Sequence, residues 1–346
     1  MIRVPAVDAS PLVSVVVPVF NGAPFLRESL ESILGQTHRS LEVIVMDDAS
    51  TDASAAIAAE VSAGDERARV HSQPANRGQF ANVNAGIAHT RGELVAVFHA
   101  DDVYEPEILA REVAFLQAHP RAAAVFALAT FIDEDGAEFG RLEPPAELAG
   151  LDLLEYPVVL NAVLRHSSGF LPTPSALVRR SVYEEVGAYA EEYGIRGDLD
   201  MWLRVASRYP VGLLHEHLFR YRVADHNESR RYARTRSELD PSFEIVDRRL
   251  AAGDRRHAEP GALATYEALR ARDRLLAARN AYVLGRRDDL RELLDPLRVG
   301  DLRGAPRADR LFLGGLLLSL RLLARLPHND AVGRRLAGPA RRRTSR

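Results

Sequence analysis

Two pairs of adjacent aspartates, each directly after an apolar run, are the residues whose types and spacing best suit chemistry. Asp47 and Asp48 form the first pair, and Asp101 and Asp102 form the second. Two neighbouring carboxylates repel each other and lose hydration on burial unless a cation joins them. Mg²⁺ and Mn²⁺ prefer such oxygen ligands and complete their shell with phosphate and water. Asp101 and Asp102 are therefore candidate metal ligands, and a solvated turn or a helix cap is the alternative.

Asp48 suits a different role, because an ionised aspartate at a strand end can accept a hydrogen bond from a nucleobase. The imide N–H of uracil or thymine and the ring N–H of guanine are donors of this kind. Ser50 or Thr51, just before an alanine-rich stretch, has the pattern of a helix N-cap. We therefore assign Asp52 to capping and only Asp48 to function.

A third candidate carboxylate lies in the segment that contains Asp198 and Asp200. Leu199, Trp202 and Leu203 recur at helical spacing, which predicts a buried helix face with both carboxylates in the first turn. A carboxylate there can act as a general base toward a sugar hydroxyl. An N-cap role for one of the two aspartates is the alternative, and the spacing does not decide which one caps.

Two further residues carry weaker signals. Arg77 lies in a short polar segment that either begins a helix or presents an arginine to a diphosphate. His226 follows a predicted strand, where its imidazole would add a nitrogen ligand to a metal. An ordinary surface histidine is the alternative for His226.

The elements that must position these residues alternate between strands and helices. Val13–Val19, Leu41–Met46 and Leu94–Phe98 are apolar runs typical of buried strands, and helical spacing follows each of them. This alternation predicts a parallel sheet covered by helices. Since ligands collect at the carboxyl ends of strands in such sheets, both aspartate pairs can face one crevice.

The pattern changes further along the chain. Ala122–Phe131 predicts a strand that enters a hairpin at the turn 133–136, and Val211–Leu214 predicts another short strand. After Asn227 the spacing is helical throughout. Leu311–Leu313 and Leu316–Leu318 form the most apolar part of that region, which is too short to span a bilayer.

Composition excludes several classes. The 346 residues include no cysteine, so disulfides, zinc–thiolate sites and thiol nucleophiles are absent. The glycine motifs of dinucleotide-binding, P-loop and hydrolase folds are missing. Residues 1–225 carry 18 arginines and 32 carboxylates, a net charge of −14, whereas residues 226–346 carry 27 and 16, a net charge of +11. The acidic part suits metal ions and neutral sugars, and the basic part suits phosphates or anionic lipid.

Taken together, these residues resemble the inverting family 2 glycosyltransferases with the GT-A fold, a Rossmann-like mixed α/β sheet with helices on both faces. The resemblance runs from about Val13 to about Ser229. Its anchors occur in the family's order: 13–22 as the opening strand and donor turn, 32–37, 42–52 as the nucleobase segment, 76–93, and the metal motif at 101–102.

The resemblance implies a role for each matched residue. Asp198 would be the catalytic base, and Asp102, Asp101 and His226 would hold Mn²⁺ or Mg²⁺. The residues expected to bind the nucleotide sugar are Pro18, Phe20, Asn21, Asp48, Arg77 and Asp101. In the implied reaction, Asp198 deprotonates an acceptor hydroxyl that attacks the anomeric carbon, and the metal stabilises the departing nucleoside diphosphate.

The sequence departs from the family pattern at two positions. His99 stands where many members have the first aspartate of an Asp-x-Asp triplet, which predicts weaker metal binding. Gly197 stands where glutamate commonly precedes the base. The Gln-x-x-Arg-Trp motif of processive members is missing, since Gln117 is the last glutamine, and we expect transfer of a single sugar.

We expect residues 1–225 to form the transferase domain, with 1–104 as the nucleotide-sugar half and 105–225 as the acceptor half, and residues 226–346 to form a helical region. The expected partners are a nucleoside-diphosphate sugar, UDP-linked by preference, and a glycan, lipid-linked or small-molecule acceptor, without nucleic acid. Residues 1–10 lack a signal-peptide layout, which favours the cytoplasm. The apolar stretch near residue 311 is expected to pack in a core or a homodimer contact, and peripheral membrane contact is the alternative. A non-catalytic sugar-nucleotide or glycan-binding module is the competing function.

Overall fold

The computed structural model describes residues 10–224, 232, 236–304 and 307–337, and ten strands within them form one sheet. The strands are β1 (Val13–Val19), β2 (Leu41–Asp47), β3 (Ala68–Ser72), β4 (Leu94–Val97), β5 (Val103–Tyr104), β6 (Ala124–Ile132), β7 (Glu138–Arg141), β8 (Leu153–Leu154), β9 (Leu177–Arg179) and β10 (Val211–Arg222). The helices beside them are α1 (Ala23–Leu34), α2 (Ser54–Ala63), α3 (Gln79–Ala88), α4 (Ile108–Ala118), α5 (Tyr156–His166), α6 (Arg180–Val186) and α7 (Gly197–Ala206).

The sheet is mixed, as the family resemblance implied, and not wholly parallel as the alternation of strands and helices predicted. Its order is β3-β2-β1-β4-β9-β6-β10-β5, with β7 paired to β6 and β8 paired to β10. The first four strands are parallel, and β9 enters antiparallel between β4 and β6. The register pairs Leu94 with Arg179 and Ala96 with Leu177. The chain just before β9 therefore lies at the carboxyl end of β4.

Helices cover both faces of the sheet because its strands are apolar on both sides, as buried parallel strands are. Val15 and Val17 of β1 share a buried core with residues of α1 and α4. On the other face α3 approaches β1 closely at Gly86. A Cβ on Gly86 would lie 2.4 Å from Val16 Cγ1 and 2.9 Å from Met46 Cγ. This position requires glycine, because a side chain there would keep α3 away from β1 and β2.

The last strand differs from its prediction. The apolar pattern predicted Val211–Leu214, whereas β10 runs to Arg222. Its register with β6 shifts between Leu214 and His217 and again before Phe219. Polar residues interrupt the apolar run at this irregularity, so the alternation pattern does not reveal that the strand continues. The extension carries Arg222 to the carboxyl end of the sheet.

The described residues divide after Ala224 into two compact units. The second unit is helical, as predicted, and an apolar core holds α9 to its neighbours. Its helices are α8 (Pro241–Ala251), α9 (Pro260–Val283), α10 (Arg287–Leu294), α11 (Arg307–Arg325) and α12 (Asp330–Ala337). In the part of the chain that the structure describes, no helix has the length and apolarity required to cross a membrane.

The apolar stretch of α11 packs only in part. Leu313 and Leu317 are buried in the core of the second unit. The prediction of core packing is wrong for Leu311, Phe312 and Leu318, whose exposed fractions are 83%, 68% and 62%, and the homodimer contact stays a prediction. A helix with apolar residues on more than half of its circumference cannot bury all of them against one core.

Candidate active site

The candidate residues collect at one edge of the sheet because β2, β1 and β4 are adjacent and parallel. Asp48 follows β2, Phe20 and Asn21 follow β1, and the segment 99–102 follows β4. Pro18 lies within β1, in register with Met46, and is half-buried. The strands that precede the two aspartate pairs thus end at the same edge of the sheet, as the sequence predicted.

The turns after β1 and β2 are locked to each other. Asn21 has a left-handed backbone, with φ of +51°. Its Oδ1 accepts a hydrogen bond from the backbone N–H of Thr51 at 2.8 Å, and its own N–H donates to Ser50 Oγ at 3.0 Å. Asparagine tolerates this conformation better than most residues, and its side chain ties the two turns together. Phe20 beside it is 51% exposed, so its ring is available to a ligand.

Asp52 has the capping role that the sequence suggested, but Ser50 and Thr51 are not the caps. The Asp52 carboxylate accepts hydrogen bonds from the N–H of Ser54, at the start of α2, and from that of Ala23, at the start of α1. These bonds lower the pKa of Asp52 against the opposing effect of burial. One carboxylate therefore serves two helix beginnings and is not free for a ligand.

Asp48 holds the loop that carries Arg77. It is 2% exposed, and its two carboxylate oxygens accept hydrogen bonds from the N–H groups of Arg77 and Gly78, both at 2.9 Å. Gly78 has φ of +88°, and α3 begins one residue later. The Arg77 side chain is exposed in this loop. A carboxylate has about four lone-pair sites, so Asp48 keeps acceptor capacity for a base.

The segment after β4 has the chemistry of a metal site. One ligand atom each from His99, Asp101 and Asp102 lies within 4.8 Å of the others. Asp102 is 1% exposed; its Oδ1 accepts the N–H of Arg222 at 2.8 Å, and its Oδ2 is buried with no hydrogen-bond partner among the described residues. The Nε2 of His99 is also buried and has no hydrogen-bond partner among the described residues. A divalent cation would satisfy Asp102 Oδ2, and the Nδ1 of His99 lies 4.0 Å from that oxygen.

Burial and neighbouring charge perturb this cluster. Burial, together with the charge of Asp101, raises the pKa of Asp102 well above its ordinary value. Burial lowers the pKa of His99, although the charges of Asp101 and Asp198 oppose that change. Both directions favour the uncharged form of the side chain, and a bound cation would stabilise the ionised carboxylate of Asp102 and coordinate the neutral imidazole of His99.

Arg222 contacts the turn that carries Asp101 and Asp102. Its guanidinium donates to the backbone oxygens of Asp101 and Asp133, contacts the ring of Phe25 at 4.4 Å, and pairs with Glu28 at 2.6 Å. These contacts fix the turn that contains Asp102. Sequence patterns assign no role to Arg222, because 120 residues separate it from that carboxylate.

Asp198 lies in the first turn of α7 and is oriented by a hydroxyl. Its Oδ2 accepts a hydrogen bond from Thr173 Oγ1 at 3.2 Å, and that hydroxyl in turn accepts the indole N–H of Trp202 at 3.1 Å. Its Oδ1 accepts the N–H of Leu199 at 2.7 Å. Thr173 lies just before β9, and antiparallel pairing brings it to the carboxyl end of β4.

The electrostatics of Asp198 differ from those of its neighbour Asp200. Burial raises the pKa of Asp198, and the charges of Arg196 and His99 are among the opposing effects. Asp200 instead forms an ion pair with Arg204 at 2.7 Å. The prediction that one of the two caps the helix is wrong, because Arg196 is the N-cap residue and no side chain caps. Asp198 is the carboxylate left for chemistry.

Gly197 has a packing explanation. A Cβ at this position would lie 2.7 Å from the carbonyl oxygen of Ala190 and 2.7 Å from Phe80 Cδ2. Phe80 is itself stacked on Tyr189, with ring centroids 5.0 Å apart. Many family members have glutamate at this position, but here the stacked rings of Phe80 and Tyr189 leave no space for a side chain.

Besides Arg222, three residues make contacts at this candidate site that the sequence analysis did not assign. His99 replaces an expected carboxylate, but histidine is itself a metal ligand, and its spacing to Asp101 was the available signal. Thr173 has no such signal, because its distance from Asp198 is set by the antiparallel insertion of β9. Trp202 is on a buried face as predicted, at 1% exposure, whereas its N–H bond follows only from the structure. His226 lies outside the described residues.

Solved structures share this fold. TarS of S. aureus, residues 1–349, superposes with a TM-score of 0.60 at 18% identity over 94% of this chain and 89% of that one, and it has also been solved with UDP. The mannosyltransferase PcManGT of Pyrobaculum calidifontis, solved with GDP-Man and Mn²⁺, has a TM-score of 0.54 at 20% identity over 94% and 86%. At these identities the likeness concerns the fold alone.

Sequence relatives and a family profile identify the family of the chain. An uncharacterized glycosyltransferase of Rickettsia typhi is 30% identical over 62% of this chain and 65% of its own length. The chain spans only 32% of another relative, from Rickettsia felis. The profile of glycosyl transferase family 2 matches residues 14–187, a segment that contains the metal-site residues and Thr173 and ends before Asp198. Because the match covers half of the chain, this protein belongs to glycosyl transferase family 2.

Proposed function

We propose that this protein transfers a single sugar from a nucleoside-diphosphate sugar, with UDP as the favoured nucleotide, to an acceptor hydroxyl with inversion at the anomeric carbon. Asp198 is the general base, and His99, Asp101 and Asp102 hold a divalent metal. The observation that carries this proposal is the placement of Asp198, oriented by Thr173, within the electrostatic field of the metal cluster.

The donor fits the edge formed by β2, β1 and β4. Phe20 offers an exposed ring to the base, and Asp48 retains lone pairs for a base N–H. Pro18 and Asn21 shape the turn beneath the nucleotide. The backbone N–H of Arg77 is bound by Asp48, and the exposed Arg77 side chain is positioned to contact the diphosphate. The UDP complex of TarS supports this class of donor, although it concerns that protein.

The metal set fits Mn²⁺ or Mg²⁺. Two carboxylates supply oxygen ligands. The buried Oδ2 of Asp102 lacks a hydrogen-bond partner among the described residues, and the Nδ1 of His99 lies 4.0 Å from it, which favours cation binding. When bound, the metal neutralises charge that develops on the leaving diphosphate. The Mn²⁺ complex of PcManGT supports the assignment for the fold. Imidazole in the set favours Mn²⁺ over Mg²⁺.

The base chemistry follows from the carboxylate of Asp198. It takes the proton of the acceptor hydroxyl as that oxygen bonds to the anomeric carbon, while the bond from that carbon to the diphosphate oxygen breaks. Burial raises the pKa of Asp198 and so makes it a stronger base than a solvated aspartate. Thr173 keeps one carboxylate oxygen oriented. A single displacement inverts the centre without a covalent sugar intermediate.

The non-catalytic binding module receives less support from these contacts. His99 and Gly197 are its only sequence arguments. His99 contributes a ligand atom to the metal set, and Phe80 accounts for Gly197. We therefore retain the transferase as the proposed function, with a glycan, lipid-linked or small-molecule hydroxyl as acceptor.

Calorimetric titration of UDP, dTDP and GDP, each with and without Mn²⁺, tests the donor site on the wild type and on Asp102→Ala. We expect Mn²⁺-dependent binding of one nucleotide, UDP first, and its loss in the variant. Asp200→Asn is the matched control, because that carboxylate pairs with Arg204. Absence of nucleotide binding under every condition would leave only the fold in common with the family.

A second assay separates transfer from binding. The wild type should slowly release UDP from its matching UDP-sugar by transfer to water, and faster with an acceptor present. Asp198→Asn should retain nucleotide binding and lose this release. Turnover that survives the substitution would refute the base assignment.

A further inference from the structure

An exposed apolar stripe runs along α11 in the second unit. Leu311, Leu318 and Leu322 are 83%, 62% and 60% exposed, and Phe312 lies beside them at 68%. At about 100° per residue the three leucines share one side of the helix, away from the buried Leu313 and Leu317. Exposed apolar side chains grouped on one side of a helix, with Phe312 about 100° round the helix from Leu311, favour an interaction site over singly scattered surface leucines.

Arginines border this stripe. Arg310, Arg321 and Arg325 lie along one edge of α11, between its buried face and the exposed stripe. Asp309 is the helix's one carboxylate. Residues 226–346 carry a net charge of +11, so the apolar stripe belongs to a strongly cationic part of the chain.

A cavity beside the stripe has the chemistry of a phosphate site. It measures about 320 Å³, and its lining includes Arg291, Arg321 and Arg325 with Asp295. Arg321 donates to the carbonyl of Leu297 at 2.6 Å, which fixes its guanidinium. Guanidinium groups recognise phosphate oxygens bidentately.

We propose that α11 lies in the headgroup region of an anionic phospholipid membrane, with its apolar stripe inserted and lipid phosphates on the arginine-lined cavity. Amphipathic helices with leucine and phenylalanine on one side and arginine next to them bind membranes in this way. Charge favours this occupant over a second copy of the chain, since a second copy presents the same cationic edge. The inference concerns where the protein acts and does not depend on the proposed activity.

Sedimentation with vesicles tests the proposal on the full chain. We expect binding to vesicles of equimolar phosphatidylcholine and phosphatidylglycerol, weaker binding to phosphatidylcholine alone, and a decline as salt is raised. The double variant Leu318→Gln, Leu322→Gln should weaken partitioning by about tenfold per leucine. Leu284→Gln with Phe139→Gln is the matched control, because both side chains are 46% exposed elsewhere, and it should bind as the wild type does.

A charge series tests the cavity. Arg291→Gln with Arg325→Gln should weaken binding by about fivefold for each arginine, and Asp295→Asn should strengthen it by a similar factor. Arg39→Gln with Arg141→Gln removes the same charge from exposed positions of the first unit and should have little effect. Circular dichroism of each variant confirms that the helices remain.

Three results would overturn the proposal. Wild-type protein that stays in solution with the anionic vesicles removes it outright. Equal losses in the test and control variants would show general attraction rather than a built surface. A concentration-dependent dimer that the leucine variant abolishes, without vesicle binding, would assign the stripe to a second copy.

Discussion

The candidate site of the first unit and the ion pairs of the second unit hold their carboxylates in different ways. In the first unit, Asp48 and Asp102 are almost fully buried and accept hydrogen bonds from backbone N–H groups. In the second unit, buried or half-buried carboxylates face arginine side chains, as in the pairs Arg236–Asp273 and Arg249–Asp254. Backbone donors leave a carboxylate with unused lone pairs, whereas an arginine partner neutralises it. The carboxylates of the candidate site therefore keep acceptor capacity for a ligand, whereas Glu42 of the first unit and Asp273 of the second are paired with arginines and serve the structure.

The difference extends to the surface. The candidate carboxylates Asp48, Asp101 and Asp102 of the first unit lie at one edge of the sheet, where a ligand with cationic or N–H groups can be held. The arginines of α11 in the second unit lie next to exposed apolar side chains. The family profile matches only residues 14–187, within the first unit. We expect substitutions in the first unit to change sugar transfer and substitutions in the second unit to change membrane binding.

The largest expected effect belongs to Asp198→Asn. Removal of a general base reduces the transfer rate by about 10² to 10⁴. Nucleotide binding and vesicle sedimentation should not change, because neither uses this carboxylate. Rates measured with saturating donor and acceptor, beside Asp200→Asn as the control on the same helix turn, provide the test. A comparable loss in both variants would indicate damage to α7 instead.

The metal set gives the next largest effect. Asp102→Ala should weaken Mn²⁺-dependent nucleotide binding by about 10- to 100-fold, as loss of a metal-site carboxylate does. His99→Asp should instead raise Mg²⁺ binding relative to Mn²⁺, since carboxylate suits Mg²⁺ better than imidazole does. Calorimetry with each metal measures both changes. Unaltered metal preference in the His99 variant would exclude its imidazole from the set.

Thr173→Val tests the orientation of the base and should have a smaller effect. The variant removes the hydroxyl that donates to Asp198 and accepts from Trp202. We expect kcat to fall by about tenfold with KM unchanged, and the unfolding free energy to fall by about 1 to 3 kcal/mol because a buried indole N–H loses its partner. Thr173→Ser should restore the rate. Failure of serine to do so would mean that packing, not the hydrogen bond, is what matters.

Much of this site followed from the sequence because its parts are local. Asp48 and Asp101 each follow a short apolar strand, and parallel order alone brings such ends together. The helical spacing of Leu199 and Trp202 likewise placed Asp198 in a first turn. These features depend on a few neighbouring residues and on the rules of α/β sheets.

The parts that sequence could not supply depend on distant partners. Arg222 reaches Asp102 across 120 residues, at the end of a strand whose bulges conceal its length. Thr173 meets Asp198 only because β9 enters the sheet antiparallel. The exposure of Leu318 depends on how much core the neighbouring helices can offer. No pattern within one segment encodes such contacts.

The smallest expected effect is on the unfolding free energy when one glycine in each unit is replaced by alanine. A Cβ added to Gly314, inside α11, would meet nothing within 4 Å among the described residues, whereas one added to Gly86 in α3 would collide with Val16. Gly314→Ala should stabilise the second unit by about 1 kcal/mol, because alanine loses less backbone entropy in a helix. Gly86→Ala should have the opposite sign. Calorimetric unfolding measures both, and vesicle binding of Gly314→Ala should stay at the wild-type level, since its apolar stripe is intact. A destabilised Gly314 variant would mean that α11 is packed on a face that the structure shows as open.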